Sequence, residues 1–240
     1  MDLYAELKGK SIHLLAEKGL LDKKIRIKAR ALSPQEAIGN PEADDFPIQK
    51  GRERLMQADM DGALGQAFTD RFGDYEGSLQ AALNTPLTSN YGRAVFIAAL
   101  NAGLRHAGLM GQTVHCKDKG PKMCAESLAA HLTERYGSIR ITQVGFQPRM
   151  VEALAPRFAL RVLDLDEDNI GTAKSGVAIE SPEAAKDAVA WADLLLVTGT
   201  TIVNATLPEF LGSKPILFYG TTIAGAAHLM GWDRFCSQST

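Results

Sequence analysis

Apolar residues recur at three- and four-residue steps over residues 2–21, where Leu3, Leu7, Ile12, Leu15 and Ala16 share one face of an amphipathic helix. Residues 23–32 switch to strict alternation. Ile25, Ile27, Ala29 and Ala31 face one way and Arg26, Lys28 and Arg30 the other, which predicts a half-buried strand. Residues 33–51 carry Pro34, Gly39, Pro41, Pro47 and the acidic pair Asp44 and Asp45, the composition of a long loop of functional type. Residues 54–69 read as a hairpin turning near Asp61 and Gly62. The most apolar helix follows over residues 90–108. Its polar residues Asn90, Arg93, Asn101 and Arg105 fall on one side, which the pattern predicts to face solvent. Asn101 stands out, because Leu100, Ala102 and Leu104 surround it.

The pattern then changes. Helical stretches at 121–136, 148–158, 182–191, 202–211 and 223–230 alternate with short apolar runs at 139–144, 160–163, 194–197 and 215–219. Continuous rather than alternating apolar strands predict a parallel sheet covered on both faces. The expected fold class is therefore α/β: a Rossmann-like parallel-sheet domain over residues 113–240, preceded by a smaller α+β domain over residues 1–112.

The chain's 240 residues, 45% hydrophobic and 22% charged, suit an ordinary globular protein. A net charge of −2 with scattered basic residues argues against a nucleic-acid partner. The most apolar uninterrupted run, 94–100, is too short to span a bilayer, so no membrane association is expected. No signal peptide is evident at the start, and three cysteines do not make a disulfide scaffold. A reducing cytoplasm is the expected location, and a homodimer is an allowed assembly.

Candidate chemistry collects at two places. The first is residues 113–124, T-V-H-C-K-D-K-G-P-K-M-C, where His115, Cys116 and Cys124 offer ligands to a transition metal and Lys117 offers a cation. The spacing matches no structural zinc pattern. Adjacent strand residues point to opposite faces, so His115 and Cys116 share an ion only if the strand has ended. Cys236 joins them if the chain returns to the same cleft. The second place is the set of strand-to-helix loops, where open parallel sheets bind ligands. These supply Gly145, Gln147 and Arg149, then Asp164 and Asn169, then Gly199, Thr200, Thr201 and Asn204, and finally Gly220, Thr221 and Thr222. Gly-Thr-Thr occurs at two of these junctions, where glycine admits close backbone approach and threonine either caps the helix or bonds an anion. The dinucleotide fingerprint G-x-G-x-x-G is absent, although Asp164 lies nineteen residues after Gly145, where a ribose-binding acid would stand.

At V-G-F-Q-P-R-M, D-x-x-x-x-N-I-G, T-G-T-T-I-V-N-A-T-L and F-Y-G-T-T-I-A-G-A-A, residues 139–236 resemble a family of uncharacterised proteins named for proposed heavy-metal chelation. The resemblance implies an enolase-N-terminal-like first domain, a Rossmann-like second domain and a ligand cleft between them. The leading expectation is binding of a small anionic molecule or metal-containing cofactor, with Arg93, Asn101, Lys117 and Arg149 supplying charge and hydrogen bonds. The alternative is a nucleotide- or S-adenosylmethionine-using enzyme with Cys116 or Lys117 in its mechanism.

Overall fold

A computed structural model describes residues 2–28, 32–39, 53–212 and 214–240. The first half opens with helix α1 (Leu3–Glu17), capped by the Asp2 carboxylate, which accepts from the Tyr4 amide. Strand β1 (Lys24–Lys28) follows. The positions of Ala29 and Ala31 in the expected strand, and residues 40–51 of the expected loop, lie outside the described residues. Within residues 33–39 the chain forms a short helix instead of a plain loop, α2 (Pro34–Ile38), because Ser33 and Glu36 make a reciprocal capping box with proline in the first turn. Strands β2 (Arg54–Met60) and β3 (Ala63–Thr69) are the expected hairpin. Asp61 and Gly62 both take positive φ at its tip, the geometry that matches strand twist. Strand β4 (Tyr75–Ser78), helix α3 (Leu79–Leu83) and helix α4 (Asn90–His106) complete this half. The antiparallel sheet runs in the order β3-β2-β1-β4.

The second half contains α5 (Gly120–Tyr136), β5 (Arg140–Val144), α6 (Pro148–Leu154), β6 (Ala159–Leu163), β7 (Ala173–Lys174) and β8 (Val177–Glu180). It ends with α7 (Ala185–Trp191), β9 (Leu194–Thr198), β10 (Ile216–Tyr219), α8 (Ala224–Met230) and β11 (Arg234–Phe235). Among the described residues these strands form one sheet ordered β11-β10-β9-β5-β6-β8-β7, parallel except for the β7–β8 pair. From β5 the chain winds outward through β6 to β8. It then returns to the other side of β5 with β9 and winds outward again. That reversal is the doubly wound, Rossmann-like order, and its switch point lies between β5 and β9.

Two expectations need correction. The helix expected over 202–211 is broken into single 3-10 turns, Gly199–Ile202 and Leu207–Glu209. Ala205 between them takes φ of +66°, and Pro208 opens the second turn, where it could not continue a helix. The polar side of α4 is only partly wet: Arg93 is 8% exposed and Asn101 is fully buried, whereas Asn90 and Arg105 are half-buried. Helix α4 packs on β2 and β3 and against α8, so Arg93 and Asn101 meet protein on the side expected to be wet. Gly65 permits this packing. A Cβ there would stand 2.1 Å from the Ala102 amide nitrogen and 2.4 Å from the Ala98 carbonyl oxygen. One hydrophobic core runs continuously from Leu7, Met56 and Leu100 to Val197, Phe218 and Ile223, joining the two sheets.

Candidate functional site

A cavity of about 460 Å³ opens beyond the carboxyl ends of β5, β6, β9 and β10. Its floor is the switch point. Gly145 leaves β5 with φ of +89°, and a Cβ there would come within 2.6 Å of the Thr198 methyl group at the end of β9. Tyr219 at the end of β10 donates its hydroxyl to the Gly145 carbonyl at 2.7 Å, which fixes the loop from beneath. Ile38, Glu53 and Phe68 from the first half close the cavity from above.

One wall carries the soft donors: His115, Cys116, Cys124 and Cys236 all line the cavity. The chain around 113–118 is stitched into place without forming a strand. The Thr113 carbonyl accepts from the Gln66 amide, Val114 exchanges two backbone hydrogen bonds with Thr240, and the His115 amide donates to the Gln66 side chain at 2.7 Å. No strand forms at the pair, so the restriction to opposite faces does not apply, and His115 and Cys116 both line the cavity. Cys124 enters from the start of α5. Cys236 arrives because β11 pairs with β10 and Thr240 returns to Val114.

The electrostatics of this wall are uneven. Burial pushes the His115 imidazole below its ordinary pKa, and its Nδ1 is buried with no hydrogen-bond partner, as suits a neutral ligand. The ring meets Phe68 edge to face, with centroids 5.3 Å apart. Burial pushes the Cys116 thiol up to about 12, so it stays protonated. Cys124 and Cys236 hydrogen-bond to one another. The bond raises the donor, Cys124, and lowers Cys236, which Arg234 also favours as a thiolate.

The opposite end is acidic. Glu53 and Asp164 line the cavity, and a neighbouring space of about 300 Å³ shares both and adds Asp70, Asp166, Asn90 and Asn169. Among the described residues, no lysine or arginine lines either space. Expected to supply positive charge, Arg93, Lys117 and Arg149 therefore do not reach it. Arg93 donates to the carbonyls of Val203 and Leu87 and to the Asn90 side chain. Arg149 pairs with Glu152 at 2.6 Å. Lys117 is exposed at the turn where the Asp118 amide meets the Ile38 carbonyl.

Asn101 is also outside the cavity. Its amide nitrogen donates to the carbonyls of Gln66, Thr221 and Thr222, and its oxygen accepts from the Gly225 amide. Of the loop residues, Gly145, Gln147, Asp164, Gly199, Thr200, Thr201, Asn204, Gly220 and Thr222 do line the cavity, Asn169 lines only the neighbouring space, and Thr221 is buried outside both. The two Gly-Thr-Thr loops are not equivalent. Thr201 donates to the Thr198 carbonyl within its own turn, whereas Thr222 accepts from the Phe68 amide and ties the loop to β3. Asp164 accepts from the amides of Phe146 and Asp166, which makes it the brace between the β5 and β6 loops.

Residues 128–222 match the sequence family described as "Putative heavy-metal chelation". That segment is similar to the DUF364 family. A crystal structure of a DUF364 protein of unknown function from Pyrococcus horikoshii shares the fold, with a TM-score of 0.52 at 18% identity over 92% of this chain and 80% of that one. A second, from Desulfitobacterium hafniense, has a TM-score of 0.52 at 16% identity over 74% of this chain and 73% of that one. No curated protein matches the sequence. No helix among the described residues is long and apolar enough to cross a membrane.

The donor set can be tested against the metal that the DUF364 description implies. Imidazole with a free buried nitrogen and three thiols are the right chemistry for a soft or borderline ion. Among the described residues, however, no group of three or more His, Cys, Asp and Glu side chains is placed to hold an ion as a ready cage. The wall therefore offers separate soft donors and not a built metal centre.

Several lining residues carried no signal in sequence. Glu53 and Phe68 lie on or beside a hairpin, where nothing distinguishes them from strand residues. Tyr219 sits directly before a Gly-Thr-Thr loop and could have been read with it.

Proposed function

We propose that this cavity binds a soft or borderline transition-metal ion, either alone or within a small metal-containing molecule. The observation that carries the reading is the convergence of His115, Cys116, Cys124 and Cys236, from three separated stretches of chain, on one wall of one cavity. Bound metal would supply Lewis acidity or a thiophilic anchor. The chain's own contribution is to hold His115 neutral, to exclude water with Phe68, Phe146 and Met150, and to present carboxylates at the far end. A cavity of about 460 Å³ exceeds a lone ion and suits a compact complex. Its acidic end favours a neutral or cationic periphery over the anionic one expected from sequence. A reducing compartment such as the cytoplasm keeps the thiols available.

The test is anaerobic purification with elemental analysis and an absorption spectrum, alongside a Cys116→Ser, Cys124→Ser double variant. Expected is metal retained or taken up on titration by the parent chain and strongly reduced in the variant. No uptake by either protein would overturn the reading.

A further inference from the structure

One wall of the cavity is held by hydrogen bonds rather than by a core. Residues 234–240 carry Cys236 to the cavity, yet Ser239 is the single buried residue among them. They join the large sheet through two residues only, β11 at its edge beside β10. The Phe235 and His131 rings meet with centroids 5.2 Å apart and anchor the base of the segment. Beyond that point the fastening is polar. The Arg234 guanidinium donates to the carbonyls of Gly220 and Gln112, both at 2.8 Å. Val114 and Thr240 exchange two backbone hydrogen bonds, at 2.8 and 3.1 Å. The Ser239 hydroxyl closes the turn on the Cys236 carbonyl at 2.8 Å. Gln112, on the receiving side, is held at φ of +59°, a left-handed conformation that costs energy for a residue with a side chain.

We propose that residues 234–240 are a strap that gates the soft-donor side of the cavity, with Arg234 as its latch. Opening it exposes little apolar surface and lets Gln112 leave its left-handed conformation. The other walls are dearer to move, because α5, β9 and β10 place Leu128, Val197 and Phe218 in the cores. Segments with few buried contacts open first. Arg234 does not itself line the cavity, so the latch stands apart from whatever binds there. The strap and the segment it closes on both reach the cavity: Cys236 from one, His115 and Cys116 beside Val114 from the other. A ligand that touches both makes its full set of contacts only with the strap shut, and it therefore shifts the strap toward the closed state. The opening is a property of the chain alone, and its coupling to a ligand rests on the metal-binding reading of the cavity.

The experiment is hydrogen exchange read by mass spectrometry on the reduced 240-residue chain, with Arg234→Gln alongside. In the parent, peptides covering 112–116 and 234–240 should exchange together and well ahead of β5 and β9. Arg234→Gln should speed both segments by about tenfold, the order of one hydrogen bond from a charged group, and leave β5 and β9 unchanged. The same variant should raise alkylation of Cys124 by a bulky maleimide by a like factor. Cys124 sits on α5, so it reports access to the cavity and not the strap's own motion. Protection of 234–240 equal to that of β9 in the parent would overturn the strap without recourse to any variant. Faster exchange in Arg234→Gln with Cys124 alkylated at the parent rate would overturn its role as a gate. Cadmium(II) is the ligand probe, and once bound it should slow exchange in both segments. Bound cadmium that slows neither overturns the coupling and leaves the metal reading standing. No cadmium uptake overturns the metal reading and the coupling together, while the latch stands or falls on the metal-free measurements.

Discussion

Glu53 closes the cavity from the first half, partly buried at the start of β2. Its carboxyl is pushed from an ordinary value of 4.5 up to about 7, first by burial and then by Asp164, Asp166 and Asp70. Between those values the native protein holds a proton that the unfolded chain has released. Stability therefore falls as pH rises through that window and stays lower above it. Glu53→Gln removes the titration. The variant is expected to match the parent near about pH 4 and to exceed it by about 2 kcal/mol near about pH 8, at 1.4 kcal/mol per unit with some loss to screening. Thermal midpoints across that pH range check it, and an equal gain at both ends would show that the carboxylate's charge is not the cause. Residue by residue, the site was legible where chemistry is rare in sequence. His115, Cys116 and Cys124 stood out by type and proximity, and all three line the cavity. Lys117 and Arg149 stood out as charges, but a charge in a turn or on a helix finds water or a local partner, and sequence does not show which. Glu53 was invisible because its character comes entirely from what the fold places around it.

Helix α4 shows how a correct element can carry a wrong orientation. Its 17 residues were evident from their apolar run, yet the polar stripe was assigned to solvent because most amphipathic helices are arranged so. The stripe instead bolts β3 to the loop after β10 and to the start of α8, and Asn101 is the bolt: all four of its hydrogen bonds go to backbone groups. Asn101→Leu keeps approximate volume and leaves the Gly225 amide and three carbonyls without that partner. Loss of stability by about 3 kcal/mol is expected, the order of one or two buried unpaired polar groups. Urea unfolding checks it, and a variant as stable as the parent would show that the bonds only follow packing. The strands of the large sheet were easier to read, since fully apolar runs such as 194–197 have few other uses. The two-residue strands β7 and β11 were not readable, because two residues carry no period. Over 202–211 the apolar spacing was helical, but the positive φ of Ala205 is a tertiary outcome, and Pro208 gave the available warning.

At the level of the molecule, strand order decides where the site lies; the alternation of elements gave the parallel sheet and its strand-end loops, and the order comes from the structure. Winding outward in both directions from β5 leaves a crevice at the switch point, and the described cavity opens there. What alternation could not show is how the first half covers that crevice. The break at residues 112 and 113 separates two sheets, yet the core does not stop there: Leu100 and Leu104 of α4 share it with Val197, Phe218, Ile223 and Ala226. Such a core predicts shared fate. Apolar surface that each half buries against the other cannot stay buried if one half unfolds, so partial unfolding exposes it to water at about 25 cal/mol per Å². The whole chain is therefore expected to unfold in a single calorimetric transition, with van't Hoff and calorimetric enthalpies agreeing. A fragment of residues 113–240 should lack that transition and bind a hydrophobic dye, since Ile223 and Ala226 lose the α4 face that covers them. Two resolved transitions in the full chain, or a fragment that melts cooperatively on its own, would instead show two independently stable domains meeting at the cavity. In that case Asn101 and Thr222 would be contacts of a mobile interface, and ligand binding would be expected to raise the coupling between the halves.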